Sequence, residues 1–200
     1  MPDHGNASFH TGDESSRTGS HHVFAPLPET ALPTRFTDQG LTLTVGNTAE
    51  NTAGSIDVGL RHFAGAHTDG DVAVYVPSQG VVMVGDLVWP GSFFFLDTPT
   101  GGTAEGLALA LNDIVAWIAP DTRVVPGHGD VMSYEELLAY RDFVLAATDA
   151  ATPSPADRVS LREAQEVGLP QEFSRWESRL VPVAEWIRMV RGGAPGGEPL

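Results

Sequence analysis

Apolar positions recur along this chain with two different periods. Residues Leu41–Val45 alternate apolar and polar side chains, which predicts a short strand. Between residues 55 and 62, Ile56, Val58 and Leu60 fall on one face with period 2, and His62 continues that face. Residues 72–76 and 81–84 are apolar runs separated by Pro77, Ser78, Gln79 and Gly80, which read as a hairpin turn. From about 103 to 118 the period changes. Leu107, Ala110, Leu111, Ile114, Val115 and Ile118 keep the spacing of one buried helical face, and Pro120 ends it. Residues 123–125 form a last strand that runs straight into Pro126, Gly127 and His128.

Two later helices announce their starts. Ser133 precedes Glu136 and Ser160 precedes Glu163, the Ser-x-x-Glu spacing in which side chain and backbone satisfy each other's orphan groups. Between them, residues 148–158 (TDAATPSPADR) predict a linker that no helix crosses. A final helix at Val183–Val190 is expected to bury Trp186 with Met189 or Val190, closed by Gly192 and Gly193. Strands with intervening helices make the expected class mixed α/β. Residues 1–35, rich in Ser, Thr, Gly, His and Pro, show neither period and read as a polar, poorly ordered segment. Residues 36–150 read as the main domain, and 151–200 as a helical extension packed on it.

Composition narrows the picture by exclusion. Two hundred residues suffice for one domain with a core. With no cysteine, neither a disulfide framework nor a thiolate metal site is available, so any metal must be held by His and carboxylate. Eleven Lys+Arg against twenty-six Asp+Glu give a net charge of −15, without the basic face that neutralises phosphates. Nucleic acid and anionic membrane surfaces are therefore not expected partners; a small-molecule substrate is. No apolar run is long enough to span a bilayer, and the first residues lack a basic region followed by an apolar stretch, so the expected location is cytoplasmic.

Three stretches carry candidate chemistry: GAHTDGD around His67, VMVGDLV around Asp86 and VVPGHGD around His128. Each places one metal-type ligand where a strand gives way to a glycine-bearing loop, so that a rigid strand fixes its backbone. Imidazole, carboxylate, imidazole suits zinc or a similar borderline metal. Asp69 and Asp71 flank Gly70 beside His67, and either could orient its ring; a solvated Asp-Gly-Asp turn is the alternative. His62 reads as a packed or interfacial histidine. Phe93, Phe94 and Phe95 line the mouth of the site or cover core, with core preferred for at least one. Trp176 and Trp186 read as packing residues.

The order and wording of these stretches resemble the metallo-β-lactamase-fold hydrolases, in particular a cyclase-like branch. The loop GSFFFLDTPTGG and the tail SLREAQEVGLPQEFSRW…VAEWIRMV are also similar to that branch, so the resemblance covers roughly residues 41–191. It implies an αββα sandwich. It also implies His67 as a ligand of the first metal, His128 as the last ligand of the second, and Asp86 as the bridge between them. Asp3 and His4, followed by Gly5 and Asn6, look like the end of the family's early His-x-His-x-Asp-His motif, with Met1 where a motif His belongs. On that reading Asp3 is both ligand and catalytic orienter of the nucleophile, the first motif His is absent, and part of the N-terminal half of the fold is missing. The alternative for Asp3 and His4 is a polar chain end.

The ligand count implied by the resemblance is Asp3, His4, Asp86 and His128 for one site, and only His67 with a share of Asp86 for the other. One zinc ion is therefore expected in preference to two; iron-binding relatives use similar ligands, which leaves iron open. The resemblance implies a metal-dependent hydrolase in which metal-bound hydroxide attacks an ester, thioester, lactone or amide-like bond. Against it stands a non-catalytic remnant or binding module of the same fold. A sheet deprived of its neighbour would bare an apolar face, so self-association or a complementing chain is also expected.

Overall fold

The computed structural model describes residues 40–46, 54–152, 159–178 and 181–192, together with Thr30. All of these except Thr30 lie in one compact unit, Thr37–Leu200. Asp3 and His4 lie outside the described residues, as do His10, His21 and His22.

Five strands form one mixed sheet in the order of the sequence: β1 (Leu41–Val45), β2 (Ile56–Phe63), β3 (Asp71–Val76), β4 (Val81–Gly85) and β5 (Arg123–Pro126). The first four are an antiparallel meander. The β3–β4 turn is a single 3-10 turn over Pro77–Gln79, and Gly80 closes it at φ 58°, a left-handed conformation that costs a Cβ-bearing residue free energy. Strand β5 joins β4 in parallel. Parallel pairing needs a long crossover, supplied by helix α1 (Ala104–Trp117).

Helix α1 starts where Thr103 accepts a hydrogen bond from the Gly106 amide. It buries Leu107, Ala110, Leu111 and Ile114 of the stripe read from the sequence, and Ala104 besides, while Val115 is partly buried and Ile118 is buried at the helix end. Helix α2 (Tyr134–Ala151) and helix α3 (Leu161–Val167) both begin with the full reciprocal box, Ser133 with Glu136 and Ser160 with Glu163. Helix α4 (Val183–Val190) buries Trp186, Ile187 and Met189.

One expectation needs correcting. Helix α2 runs on through Thr148–Ala151, four residues into the stretch read as linker. Its buried stripe explains why: Tyr140, Val144, Ala147 and Ala151 recur at three- and four-residue steps, and each is buried. Packing thus holds the last turn helical, and the helix stops only at Thr152, one residue before Pro153.

The two faces of the sheet differ. Phe63, Ala73, Tyr75, Val82, Val84 and Val124 share one face and are buried in the core with the α1 and α2 stripes. The opposite face carries Leu41, Leu43, Val45, Ile56, Val58, Leu60, Val72, Val74 and Met83, paired across the strands. On that face Val45 is 55% exposed, Ile56 40%, Val72 42% and Met83 39%. The period-2 apolar set read from the sequence therefore lies on the side away from the helices. Beneath the helical side, an aromatic cluster ties the C-terminal elements to the rest. The Trp186 ring stacks on Phe93 with centroids 4.7 Å apart and meets Phe94 edge-on, while Trp176 stacks on Phe143 at 3.9 Å. Among the described residues, no helix is long and apolar enough to cross a membrane.

Candidate metal centre

Three of the residues singled out by the sequence meet at one end of the sheet. Asp86 follows the last residue of β4, His128 follows the end of β5 by two residues, and His67 lies on the loop between β2 and β3. Because β4 and β5 are parallel neighbours, both strands deliver their following loops to the same edge. His128 Nε2 stands 3.4 Å from Asp86 Oδ1. His67 Nε2 stands 4.0 Å from Asp86 Oδ2. Each imidazole thus faces a different oxygen of one carboxylate, which lies between them.

The local backbone is built for this approach. A Cβ at Gly127 would fall 2.0 Å from Asp86 Oδ1, so only glycine leaves room for the carboxylate there. The backbone of His67 is clamped by the loop after β4. The Asp97 amide donates to His67 O, and the Thr100 carbonyl accepts from the Asp69 amide, each at 2.9 Å. The Thr103 hydroxyl donates to Gly65 O at 2.8 Å, joining the same loop to the start of α1. A Cβ at Gly102 would collide with His67 O at 2.1 Å, which makes that clamp dependent on a second glycine.

Asp71 addresses the far side of the His67 ring. Its Oδ1 lies 3.4 Å from His67 Nδ1, and its Oδ2 accepts the Thr68 amide at 2.7 Å, which fixes the carboxylate. With Nδ1 donating to Asp71, Nε2 keeps its lone pair on the side of Asp86. The hydrogen bond to Asp71 raises the His67 pKa above its usual 6.5; burial opposes it, and the charges of Asp71, Asp86 and Asp97 add to the rise. Asp69 makes no contact of this kind. Its carbonyl accepts from His62 Nε2 at 2.7 Å, so His62 is tied to the backbone of the same loop. Phe93 and Phe94 are buried, whereas Phe95 is 38% exposed and its ring lies 6.0 Å from that of His67.

Two neighbours of the site carried no signal in the sequence reading. Trp89 stacks on His128 with ring centroids 4.3 Å apart, and its amide donates to the Tyr140 hydroxyl at 3.1 Å. Trp89 lies three residues beyond Asp86 and Tyr140 twelve beyond His128, and only the folding of α2 brings Tyr140 there. Burial pushes the Tyr140 phenol far above its ordinary pKa, so it stays protonated.

The donor set can be tested against a metal. Two ligands held about 2.1 Å from one tetrahedral ion stand about 3.4 Å apart. His128 and Asp86 have that spacing; His67 and Asp86 are wider. The spacing of Asp86 and His128 and the freed Nε2 of His67 fit a shared cation on chemical grounds. Among the described residues, however, no group of three or more His, Asp or Glu side chains closes around a single point. The donors fit part of a metal site.

No protein-family model matches the chain, and no curated protein sequence is similar to it. Solved structures are. The stereoselective inverting sec-alkylsulfatase Pisa1 from Pseudomonas sp. aligns with 74% of this chain at a TM-score of 0.57 and 18% identity, over 25% of its own length. TTHA1623, solved in a di-iron-bound form, aligns with 58% of the chain at a TM-score of 0.43 and 29% identity, over 52% of its length. A metallo-beta-lactamase from Pontibacter korlensis aligns with 56% of the chain at a TM-score of 0.46 and 20% identity, over 49% of its length. The chain therefore spans about half the length of two of these proteins and a quarter of the third. The five-stranded mixed sheet and its helices are those of the metallo-β-lactamase fold over part of the chain.

Proposed function

We propose that this chain provides one half of a metal-dependent hydrolase centre, acting on an ester, thioester, lactone or amide-like bond. One observation carries the reading: the Nε2 atoms of His67 and His128, on two separate loops, approach opposite oxygens of Asp86 on a third. A structural ion pair needs one partner, whereas two imidazoles on one carboxylate at a solvent-open sheet edge is the arrangement of ligands around a cation.

His67, Asp86 and His128 would hold the metal, with Asp3 and His4 as further donors by resemblance. Zinc is the first candidate and one ion is preferred to two. Such an ion supplies a nucleophile from water at neutral pH and polarises the scissile carbonyl. The residues of the chain do the positioning. Asp71 fixes the His67 ring by holding Nδ1, and Trp89 fixes the His128 ring by stacking on it. Gly127 and Gly102 set the backbone close enough for both. By the same resemblance, Asp3 would be the residue that orients the attacking water.

Metal analysis of the purified full chain tests this directly. We expect about one equivalent of zinc or iron, reduced to the background level in Asp86→Asn, with chelator-sensitive cleavage across a panel of esters, thioesters and lactones. Equal metal content in wild type and Asp86→Asn would sink the reading. Metal held without cleavage of any bond in the panel would instead favour the second reading, a binding module of the same fold, which is supported by the incomplete donor group among the described residues.

A further inference from the structure

A cavity of about 630 Å³ opens beside the His–Asp–His cluster without being walled by it. Its rim begins at Gly129 and Asp130, directly after His128, and at Pro90 and Gly91, directly after Trp89. The volume is that of a site for a small organic molecule. Most of the wall is apolar: Pro90, Val131, Met132, Ala139 and the ring of Trp176.

Arg175 and Tyr140 are among the side chains with donor groups that line this space. Arg175 lines it, with its guanidinium 5.2 Å from the Trp176 ring, and no carboxylate among the described residues pairs with it. Tyr140 is the second donor. It is almost fully buried, its hydroxyl oxygen accepts from the Trp89 amide, and its own proton has no acceptor among the described residues. Two carboxylates also line the cavity. Glu136 is engaged at the start of α2, where its Oε2 accepts the Ser133 amide at 2.7 Å, and Asp130 stands on the exposed loop. They oppose a second negative charge on any occupant while leaving the first to Arg175.

We propose that this cavity binds a small organic monoanion with an apolar body, its charged end on Arg175 and Tyr140 and its body against Trp176, Met132 and Val131. An arginine beside an aromatic ring recognises a carboxylate with both charge and shape. As a site for binding, the proposal stands independently of any reaction. As a substrate subsite it rests on the hydrolase reading, and then names the class: esters, thioesters or lactones whose acyl or leaving group bears one anionic end.

The test uses 4-phenylbutyrate, its neutral amide and 4-phenylbutylamine, titrated separately into the full chain and followed by calorimetry. We expect saturable binding of the acid, weakened about tenfold in the amide and about tenfold in Arg175→Gln, with partial recovery in Arg175→Lys, since a charge-assisted contact is the one being removed. Ala139→Trp should abolish binding by filling the cavity while leaving metal content unchanged. Equal affinity of acid and amide, equal affinity of wild type and Arg175→Gln, or tighter binding of the amine through Asp130 and Glu136 would each overturn the proposal. None of these readouts depends on hydrolysis, so failure of the hydrolase reading and failure of this one are separable.

Discussion

Gly127 decides whether Asp86 can stand between two imidazoles. Placing a methyl group 2.0 Å from Asp86 Oδ1 must move either the carboxylate or the loop that carries His128. Gly127→Ala is therefore expected to weaken zinc binding by about tenfold or more, as loss of support around a ligand does. Metal titration checks this, and an unchanged affinity would remove Asp86 from the proposed centre. The His67 ring offers a pH test in chelator. Its folded pKa stands above 6.5, chiefly through the hydrogen bond to Asp71. A raised pKa stabilises the folded state fully below the unfolded value of about 6.5 and loses that contribution as pH rises through the folded value. Between pH 6 and pH 8 the metal-free wild type should therefore lose more thermal stability than Asp71→Asn. Parallel melting curves for the two proteins would show that the contact with Asp71 has no energetic weight.

At the scale of elements, the helices are held by their ends and by one aromatic layer. Removing the Ser133 hydroxyl deletes one half of the box that starts α2, and Ser133→Ala should cost about 1 kcal/mol by denaturant unfolding. Helix α4 is anchored differently, by Trp186 against Phe93 and Phe94. Its ring is fully buried, and its indole Nε1 has no acceptor among the described residues. Trp186→Ala is expected to cost about 3–5 kcal/mol, because a large cavity is left behind. Trp186→Phe keeps much of the stack and removes the unsatisfied N–H, so it should cost less than half as much. Equal losses for the two variants would mean that the indole nitrogen has a partner. Helix starts were legible in the sequence because a cap is local chemistry over four residues. The end of α2 was not, since Ala147 and Ala151 are buried by distant neighbours and carry no signal of their own.

The sheet sets the behaviour of the molecule as a whole. One face is covered by helices, and the other presents Val45, Ile56, Val72 and Met83 at 39–55% exposure. An apolar face of this kind associates with another apolar surface. Full-length protein should therefore self-associate with rising concentration or bind an apolar-surface dye, and Val72→Lys with Met83→Lys should suppress both. A monomer with no dye response would show that this face is already satisfied.

What the sequence determined by itself is local. Period 2 placed β1 and β2, apolar runs on either side of a turn placed β3 and β4, and period 3.6 placed the crossover helix, because such patterns are read within a few residues. It also singled out His67, Asp86 and His128 as metal-type ligands at strand ends; Asp86 and His128 do follow β4 and β5 beside glycines, whereas His67 lies on the β2–β3 loop, four residues past the end of β2. It left Asp69 and Asp71 as alternatives beside His67, and in the fold Asp71 Oδ1 lies 3.4 Å from His67 Nδ1 while its other oxygen accepts the Thr68 amide. Only the fold brought Trp89 onto His128 and Tyr140 beneath it, fifty-one residues from Trp89. Nor could periodicity say which face of β2 meets the helices. Ile56, Val58 and Leu60 form the more apolar face, yet α1 covers the side with Gly59 and Arg61, where the Trp117 ring needs the space that Gly59 leaves. Alternation fixes that a strand has two faces; which one is buried depends on where the crossover helix lies, and that is settled by contacts far apart in the chain.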